Sequence, residues 1–239
     1  MSQVPDTAPS YGIDRPGRVV GLFASACFFV ILGLFLAAGA KSSAAATIPF
    51  VLAALAALAA TTAIVTSLAI KPRVWRAALD AADLGSVTTA LDAGCGRALV
   101  AIEVAHRAPS AAVTGIDAWQ PRAQAGNSRI AAELNTRVAG VAGRVTITTG
   151  DVRTLDLPDA SIDLATASLV LGCLAPADRP RALVELRRVL RPGATLIAVD
   201  RSGALPSPAE LTAAGFTEQT RSRRLAVPPL TTLTATATS

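Results

Sequence analysis

The sequence predicts an open, mostly parallel α/β sheet with helices on both faces, preceded by two membrane-spanning helices. Three observations predict it. From Thr88 onward, short apolar strands alternate with amphipathic helices, the pattern of a helix-covered parallel sheet. Upstream lie two long runs without charge. At their meeting point with the sheet, "TTALDAGCGRALVAIEVA" (Thr88–Ala105) carries a strand into a glycine turn and then a helix.

The uncharged runs come first in the chain. Val19 to Ala40 and Ala44 to Ile70 hold 22 and 27 residues, and a span needs about 20 at about 1.5 Å each. The intervening "KSS" (Lys41–Ser43) is short enough only for a tight turn, so the pair predicts a helical hairpin. Gly21 and Ser25, and Gly33 and Ala37, put small residues one turn apart on the first helix, which favours close approach to the alanine-rich second. "AGA" before Lys41 resembles a signal-peptidase site. The apolar run is longer than a signal core, however, and a second span follows at once. Arg15 and Arg18 precede the hairpin and Lys71, Arg73 and Arg76 follow it, against Lys41 alone between the spans. This charge bias predicts a multi-pass protein of the cytoplasmic membrane with its N-terminus and main domain in the cytoplasm. Residues 1–17, with Pro5, Pro9 and Pro16, read as a flexible tail, 18–71 as the hairpin and 72–239 as the folded domain.

Within that domain, "KPRVWRAALDAADL" has helical spacing, with Trp75 an interfacial anchor or packing residue. The following pattern predicts strands at Thr88–Ala93, Ala112–Asp117, Arg144–Thr149, Ser161–Ser168 and Ala194–Asp200. Helices are predicted at Ala98–Arg107, Ser128–Ala139 and Asp178–Leu190. A helix at Ser207–Gly215 and strands at Phe216–Arg224 and "LTTLTATAT" then close the sheet with an antiparallel hairpin.

Composition limits the function. The chain is 51% hydrophobic and 16% charged with a net charge of +5, greasier than an ordinary soluble domain. Beyond residue 71 the only aromatics are Trp75, Trp119 and Phe216, so no base-stacking platform supports nucleic-acid binding. The basic residues beside the spans suit lipid headgroups. Cys27, Cys95 and Cys173 have neither metal-ligand spacing nor the look of a disulfide framework, and no metal site is expected. His106 reads as a surface or satisfied histidine, since a lone histidine rarely acts without a partner.

In such sheets ligands bind beyond the carboxyl ends of the strands at the switch point. Gly94 and Gly96 there let the backbone turn sharply and approach a ligand. The dinucleotide fingerprint needs a third glycine where Leu99 stands, and Asp92 sits badly beside a pyrophosphate. An NAD-linked reading is therefore disfavoured, and a cationic ligand suits Asp92 better.

"LDAGCG" resembles the first motif of class I S-adenosylmethionine-dependent methyltransferases of the small-molecule, UbiE-like type. "VTGID", "TGDVRTLDLPDASIDLATASLVL" and "ALVELRRVLRPGATLIAVD" resemble the family's following segments in the same order, so the resemblance covers residues 72–239. It implies S-adenosylmethionine as cofactor. Asp92 with the backbone of Ala93, Gly94, Cys95 and Gly96 would line the methionine and ribose portion, and Asp117 would accept from the ribose hydroxyls. Asp151 and the Val152 N–H would meet the adenine, Ala118 and Trp119 would flank its ring, and Ser168 and Leu169 would border the methyl group. Without the resemblance, Asp117 and Asp151 read equally as turn caps. The chain departs from the family at Ala98 and Ala194, where glycine is common, and at Gly172–Cys173, where many relatives have a histidine pair.

No catalytic base is nominated. Cys173 and Asp200 lie near strand ends, and the "QPRAQAGN" loop with Arg122 is long enough for a lid. A membrane-anchored enzyme methylating a small, lipophilic, membrane-resident acceptor is the expected function. The alternative is a non-catalytic S-adenosylmethionine-binding membrane module.

Overall fold

A computed structural model describes residues 8–39, 44–224 and 229–238. The expected turn at Lys41–Ser43 lies outside the described residues. Helix α1 (Pro16–Gly39) and helix α2 (Ala44–Val65) pack along each other as a hairpin. Both are long and apolar enough to cross a membrane.

Their shared seam is spaced in sevens. Val19, Ala26 and Gly33 are the buried residues of α1, and Ala46, Ala53 and Ala60 lie buried on α2. A heptad spacing keeps one stripe of each helix on its partner, and small side chains let the backbones approach. The ring of Phe50 packs where a side chain on Gly33 would stand, 3.0 Å from the position of its Cβ. The close approach therefore uses Gly33, as expected. Gly21 and Ser25 instead face outward, with the Ser25 hydroxyl bonded to the Gly21 carbonyl at 2.9 Å. The outer faces carry Phe28, Ile31, Leu34, Phe35, Ile48 and Leu58, all exposed.

The second helix does not stop at the domain boundary. A single π-helical turn (Thr66–Ile70) joins α2 to α3 (Lys71–Asp80) without a break. The hairpin and the domain thus share one helical rod. Trp75 is fully buried on α3 and donates through Nε1 to Ser168 Oγ at 2.9 Å, so it is a packing residue.

The remaining elements are β1 (Thr89–Ala93), α4 (Leu99–Arg107), β2 (Ala112–Asp117), α5 (Arg129–Val138), β3 (Val145–Thr149), β4 (Ile162–Ser168), α6 (Arg179–Val189), β5 (Leu190–Arg201), α7 (Pro208–Ala213), β6 (Phe216–Arg224) and β7 (Leu230–Ala237). They form a seven-stranded sheet in the order β3-β2-β1-β4-β5-β7-β6, parallel up to β5 and closed by antiparallel β7 and β6. Neighbouring strand residues feed opposite layers. Ala90, Leu164 and Ile197 pack with α3 and α4, whereas Leu91, Ala165 and Leu196 pack with α6 and α7. This period of two follows from the pleat. His106 is exposed, with Nε2 3.2 Å from the Ala139 carbonyl.

The sequence reads residues 1–17 as a flexible tail, but residues 8–15 make defined contacts across the domain. The Ser10 N–H and carbonyl both bond the Asn135 amide, Ala125 N–H donates to the Ile13 carbonyl and Arg15 N–H to the Ala123 carbonyl. Gly12 sits at φ +69°, with the Ala125 carbonyl oxygen 2.4 Å from where a Cβ would be, so only glycine lets the strap lie this close. Tyr11 packs on the α4 side of the core, and burial pushes its hydroxyl pKa up to about 12.

Candidate functional site: the cavity at the strand ends

The chain leaves β1 for β2 on one side and returns to β4 on the other, so a crevice opens where the two connections diverge. The turn after β1 is pinned by Gly94 N–H and Cys95 N–H, which both donate to the Ile116 carbonyl at 2.8 and 3.0 Å. Gly94 and Gly96 lie at φ +71° and +53°. A Cβ on Gly94 would stand 2.7 Å from Val170, and one on Gly96 2.5 Å from Gln124 Oε1. Ala98, at φ +64°, carries the left-handed backbone that a glycine would take more cheaply.

Asp117 organises the crevice. Its Oδ2 accepts from Gly96 N–H at 2.8 Å, and its Oδ1 accepts from Trp119 N–H at 2.6 Å and Asn127 Nδ2 at 3.2 Å. One carboxylate thus ties together the glycine turn, the end of β2 and the loop before α5.

The cavity is lined by eight of the expected site residues: Gly94, Cys95, Gly96, Asp117, Ala118, Val152, Ser168 and Leu169. Asp92, Ala93, Trp119 and Asp151 do not line it. Asp92 and Ala93 are fully buried beneath the turn. Asp92 Oδ2 accepts from Ala101 N–H and Oδ1 lies 2.9 Å from Thr166 Oγ1. Burial raises its pKa to about 7 against those two hydrogen bonds. Trp119 turns its Nε1 to Thr149 Oγ1 at 2.8 Å. Asp151 is bridged by Arg153, whose hydrogen bonds hold the carboxyl below its ordinary range.

Several lining residues were not singled out from sequence. Gln120, Ala123, Gln124 and Asn127 come from the "QPRAQAGN" loop, whose unusual length was the available signal. Asn127 Oδ1 and Arg97 Nε are buried polar side-chain atoms with no partner among the described residues. Asp14 and Lys71 also line the cavity, from the two ends of the hairpin. Lys71 donates to both Asp14 oxygens at 2.7 Å and is only 4% exposed. It was expected at lipid headgroups, but the carboxylate draws it inward.

Of the groups near the strand ends, Cys173 lines the cavity. Asp200 is buried, accepting from Gly172 N–H and Arg201 N–H at 2.7 Å each. Burial raises its pKa against those bonds.

Residues 91–198 match the Methyltransf_11 family, described as a methyltransferase domain. Over this stretch the chain is similar to methyltransferase domains. Among curated relatives, the chain is 38% identical over 120 residues to an uncharacterized 37.1 kDa protein in transposon TN4556 of Streptomyces fradiae. It is 31% identical over 113 residues to the ubiquinone/menaquinone biosynthesis C-methyltransferase UbiE of Geotalea daltonii. These matches take up 50% and 47% of this chain but only 32% and 45% of the relatives' lengths. The fold is that of solved structures including the [4+2]-cyclase SpnF, at TM-score 0.57 and 21% identity over 70% of this chain and 81% of that one. A SAM-dependent methyltransferase from Aquifex aeolicus shares it at TM-score 0.56 and 18% identity, over 68% and 88% of the two chains. The architecture is the class I S-adenosylmethionine-dependent methyltransferase fold.

Proposed function

We propose that this chain is a membrane-anchored methyltransferase that transfers a methyl group from S-adenosylmethionine to a small, lipophilic acceptor. The observation that carries the reading is the position of the cavity. It is lined both by the glycine turn and Asp117, at the methyltransferase switch point, and by Asp14 and Lys71, at the two feet of the apolar hairpin.

The residues fit the cofactor. Gly94 and Gly96 leave a cradle that a Cβ would fill, and the orphaned Asn127 Oδ1 lies at the wall. Asp117 would hold the ribose hydroxyls with the lone pairs its present donors leave free. Val152 N–H, Gly150 and Ala118 border the expected adenine position, Cys95 the methionine and ribose portion, and Ser168 and Leu169 the methyl end. Asp92 acts from behind the turn, as a buried acid that fixes Ala101 and Thr166 rather than as a direct contact. Asp151 and Trp119 stand outside the lining and would reach a ligand only by leaving Arg153 and Thr149. When bound, the cofactor supplies an electrophilic methyl carbon, so the chain's task is chiefly to position the acceptor and exclude water.

The spans support a bilayer location, with the N-terminus and the domain on the cytoplasmic side by the charge bias around them. A tethered domain meets a membrane-dissolved acceptor at high local concentration. Similarity to UbiE, named for quinone biosynthesis, supports a quinone-like acceptor. Calorimetric titration of the detergent-solubilised protein with S-adenosylhomocysteine tests the site, with Asp117→Ala and NADH as controls. Transfer of labelled methyl groups into extracted membrane lipids tests the acceptor. Saturable binding abolished in Asp117→Ala, followed by labelled lipid, is the expected result. A folded wild type that binds no S-adenosylhomocysteine would overturn the reading.

A further inference from the structure

A second cavity adjoins the first. It shares Asp14 and Leu169 with the cofactor cavity and opens along the foot of the hairpin. One wall is membrane helix, contributed by Val19 of α1 and Thr62 and Ala63 of α2. The other is domain, contributed by Leu169 after β4 and Arg201 at the end of β5. Leu169 lines both cavities, and it does so at φ +58°, a left-handed conformation that disfavours a non-glycine residue. The neighbouring π-turn adds a residue to the helix where Thr66 and Ser67 face this space.

The charge lining the second cavity is mostly positive, three arginines against Asp14, which Lys71 already pairs. Arg15, Arg18 and Arg201 line it, and none of the three takes part in an ion pair among the described residues. Among the described residues the Arg15 side chain reaches the Gly172 carbonyl at 3.5 Å and Cys173 Sγ at 3.9 Å. The nearby acids are already engaged, Asp14 by Lys71 and Asp200 by two backbone N–H groups. Three arginines outside any ion pair among the described residues, beside Thr62 and Ser67 and the apolar Val19, Ala63, Leu169 and Leu230, match an amphiphile: an anionic head beside an apolar body. Arg15 and Arg18 also flank the first apolar turns of α1, so the cations stand where the hairpin would leave the bilayer.

We infer that this second cavity is the acceptor subsite and that it selects an amphiphile with an ionised acidic head group (a phenolate, enolate or carboxylate) whose tail remains in the bilayer. The inference rests on the methyltransferase reading above and specifies its substrate class. It also gives the absence of a nominated base a physical sense. A head group held as an anion by arginines has already lost its proton to solvent before it meets the methyl donor.

The test uses the full-length protein in phosphatidylcholine nanodiscs. A fatty acid with a diazirine next to its carboxylate is photolysed in the disc, beside the matching fatty alcohol, and labelled residues are mapped by mass spectrometry. The acid should label residues 59–67 and 169–173 saturably, and the alcohol should not. Arg18→Ala with Arg201→Ala should lower that labelling about tenfold, the loss of one charged hydrogen bond or more. The double lysine variant should keep most of it, and S-adenosylhomocysteine binding checks that each variant is folded. Equal labelling by the alcohol would overturn the inference. So would label spread over the outer faces around Phe28 and Phe35, or competition by phosphatidylglycerol as strong as by unlabelled acid, which marks a lipid-headgroup site instead. Intact S-adenosylhomocysteine binding without saturable labelling removes the subsite and leaves the proposed function standing. Failure of the wild type to bind S-adenosylhomocysteine removes that function, and the acceptor assignment with it.

Discussion

Lys71 Nζ sits 2.7 Å from both carboxylate oxygens of Asp14, across 57 residues of chain and the whole apolar hairpin. The pair fastens the strap before α1 to the start of α3, and both residues line the cavity at the strand ends. A buried ion pair gives little net stability when intact, but removing one partner strands the other charge, at a cost of about 3–5 kcal/mol. Asp14→Ala leaves Lys71 stranded at 4% exposure. The expected result is release of the strap while the sheet stays folded. Hydrogen exchange would read it at the Ala125 and Arg15 amides, which bond Ile13 and Ala123 across this contact. Unchanged protection there would mean the strap is held without the ion pair, by Tyr11, Asn135 and its own backbone bonds.

The glycine turn makes a sharper prediction. At φ +53°, Gly96→Ala adds left-handed strain of about 1–2 kcal/mol. Its Cβ would also fall 2.5 Å from Gln124 Oε1. Gln124 Oε1 accepts from Arg97 N–H, so it cannot swing aside freely. The variant should fold and bind S-adenosylhomocysteine at least about tenfold more weakly. Affinity equal to wild type in calorimetry would show that the turn does not approach the ligand.

Asn127 offers the converse case, a residue whose removal should weaken binding without loosening the fold. Its Oδ1 is buried with no partner among the described residues, and its Nδ2 holds Asp117 at 3.2 Å. Asn127→Ala removes a buried unsatisfied oxygen, which offsets the loss of the long Nδ2 bonds to Asp117 and the Gln120 carbonyl, and frees Asp117 to move. A melting temperature near wild type with affinity for S-adenosylhomocysteine lowered about tenfold is expected. A large loss of melting temperature with unchanged affinity would make Asn127 a structural residue only.

Most of the sheet was legible because strand and helix periods are local. The expected strands Ala112–Asp117 and Phe216–Arg224 coincide with β2 and β6, and the others shift by a few residues at their ends. The glycine turn and Asp117 were legible for the same reason, since β1, turn and β2 follow one another closely in the chain. What sequence missed depends on long-range partners. Lys71 reads as one more juxtamembrane cation until Asp14 is brought beside it. Residues 8–15 carry no apolar period, so only their bonds to Asn135, Ala123 and Ala125 define them. Asp151 belongs to the resembling motif, yet Arg153 two residues on claims its carboxylate.

Asp92 gives a pH dependence whose sign can be worked out. Burial raises its pKa from an ordinary 3.8 to about 7, so the folded state binds a proton that the unfolded state has already lost. Stability from this group is complete below the unfolded pKa and declines as pH rises through the folded one. The full change is on the order of 4 kcal/mol for a shift of this size. Asp92→Asn keeps a neutral side chain that can still accept from Ala101 N–H, and it has no proton to lose. The wild type should therefore lose thermal stability relative to Asp92→Asn as pH rises from about 5 to about 7.5, and the gap should level off above that. Paired melting curves followed by tryptophan fluorescence measure it directly. A constant difference across this range would mean that Asp92 stays ionised beneath the turn, held by Thr166 and Lys71 more strongly than burial opposes.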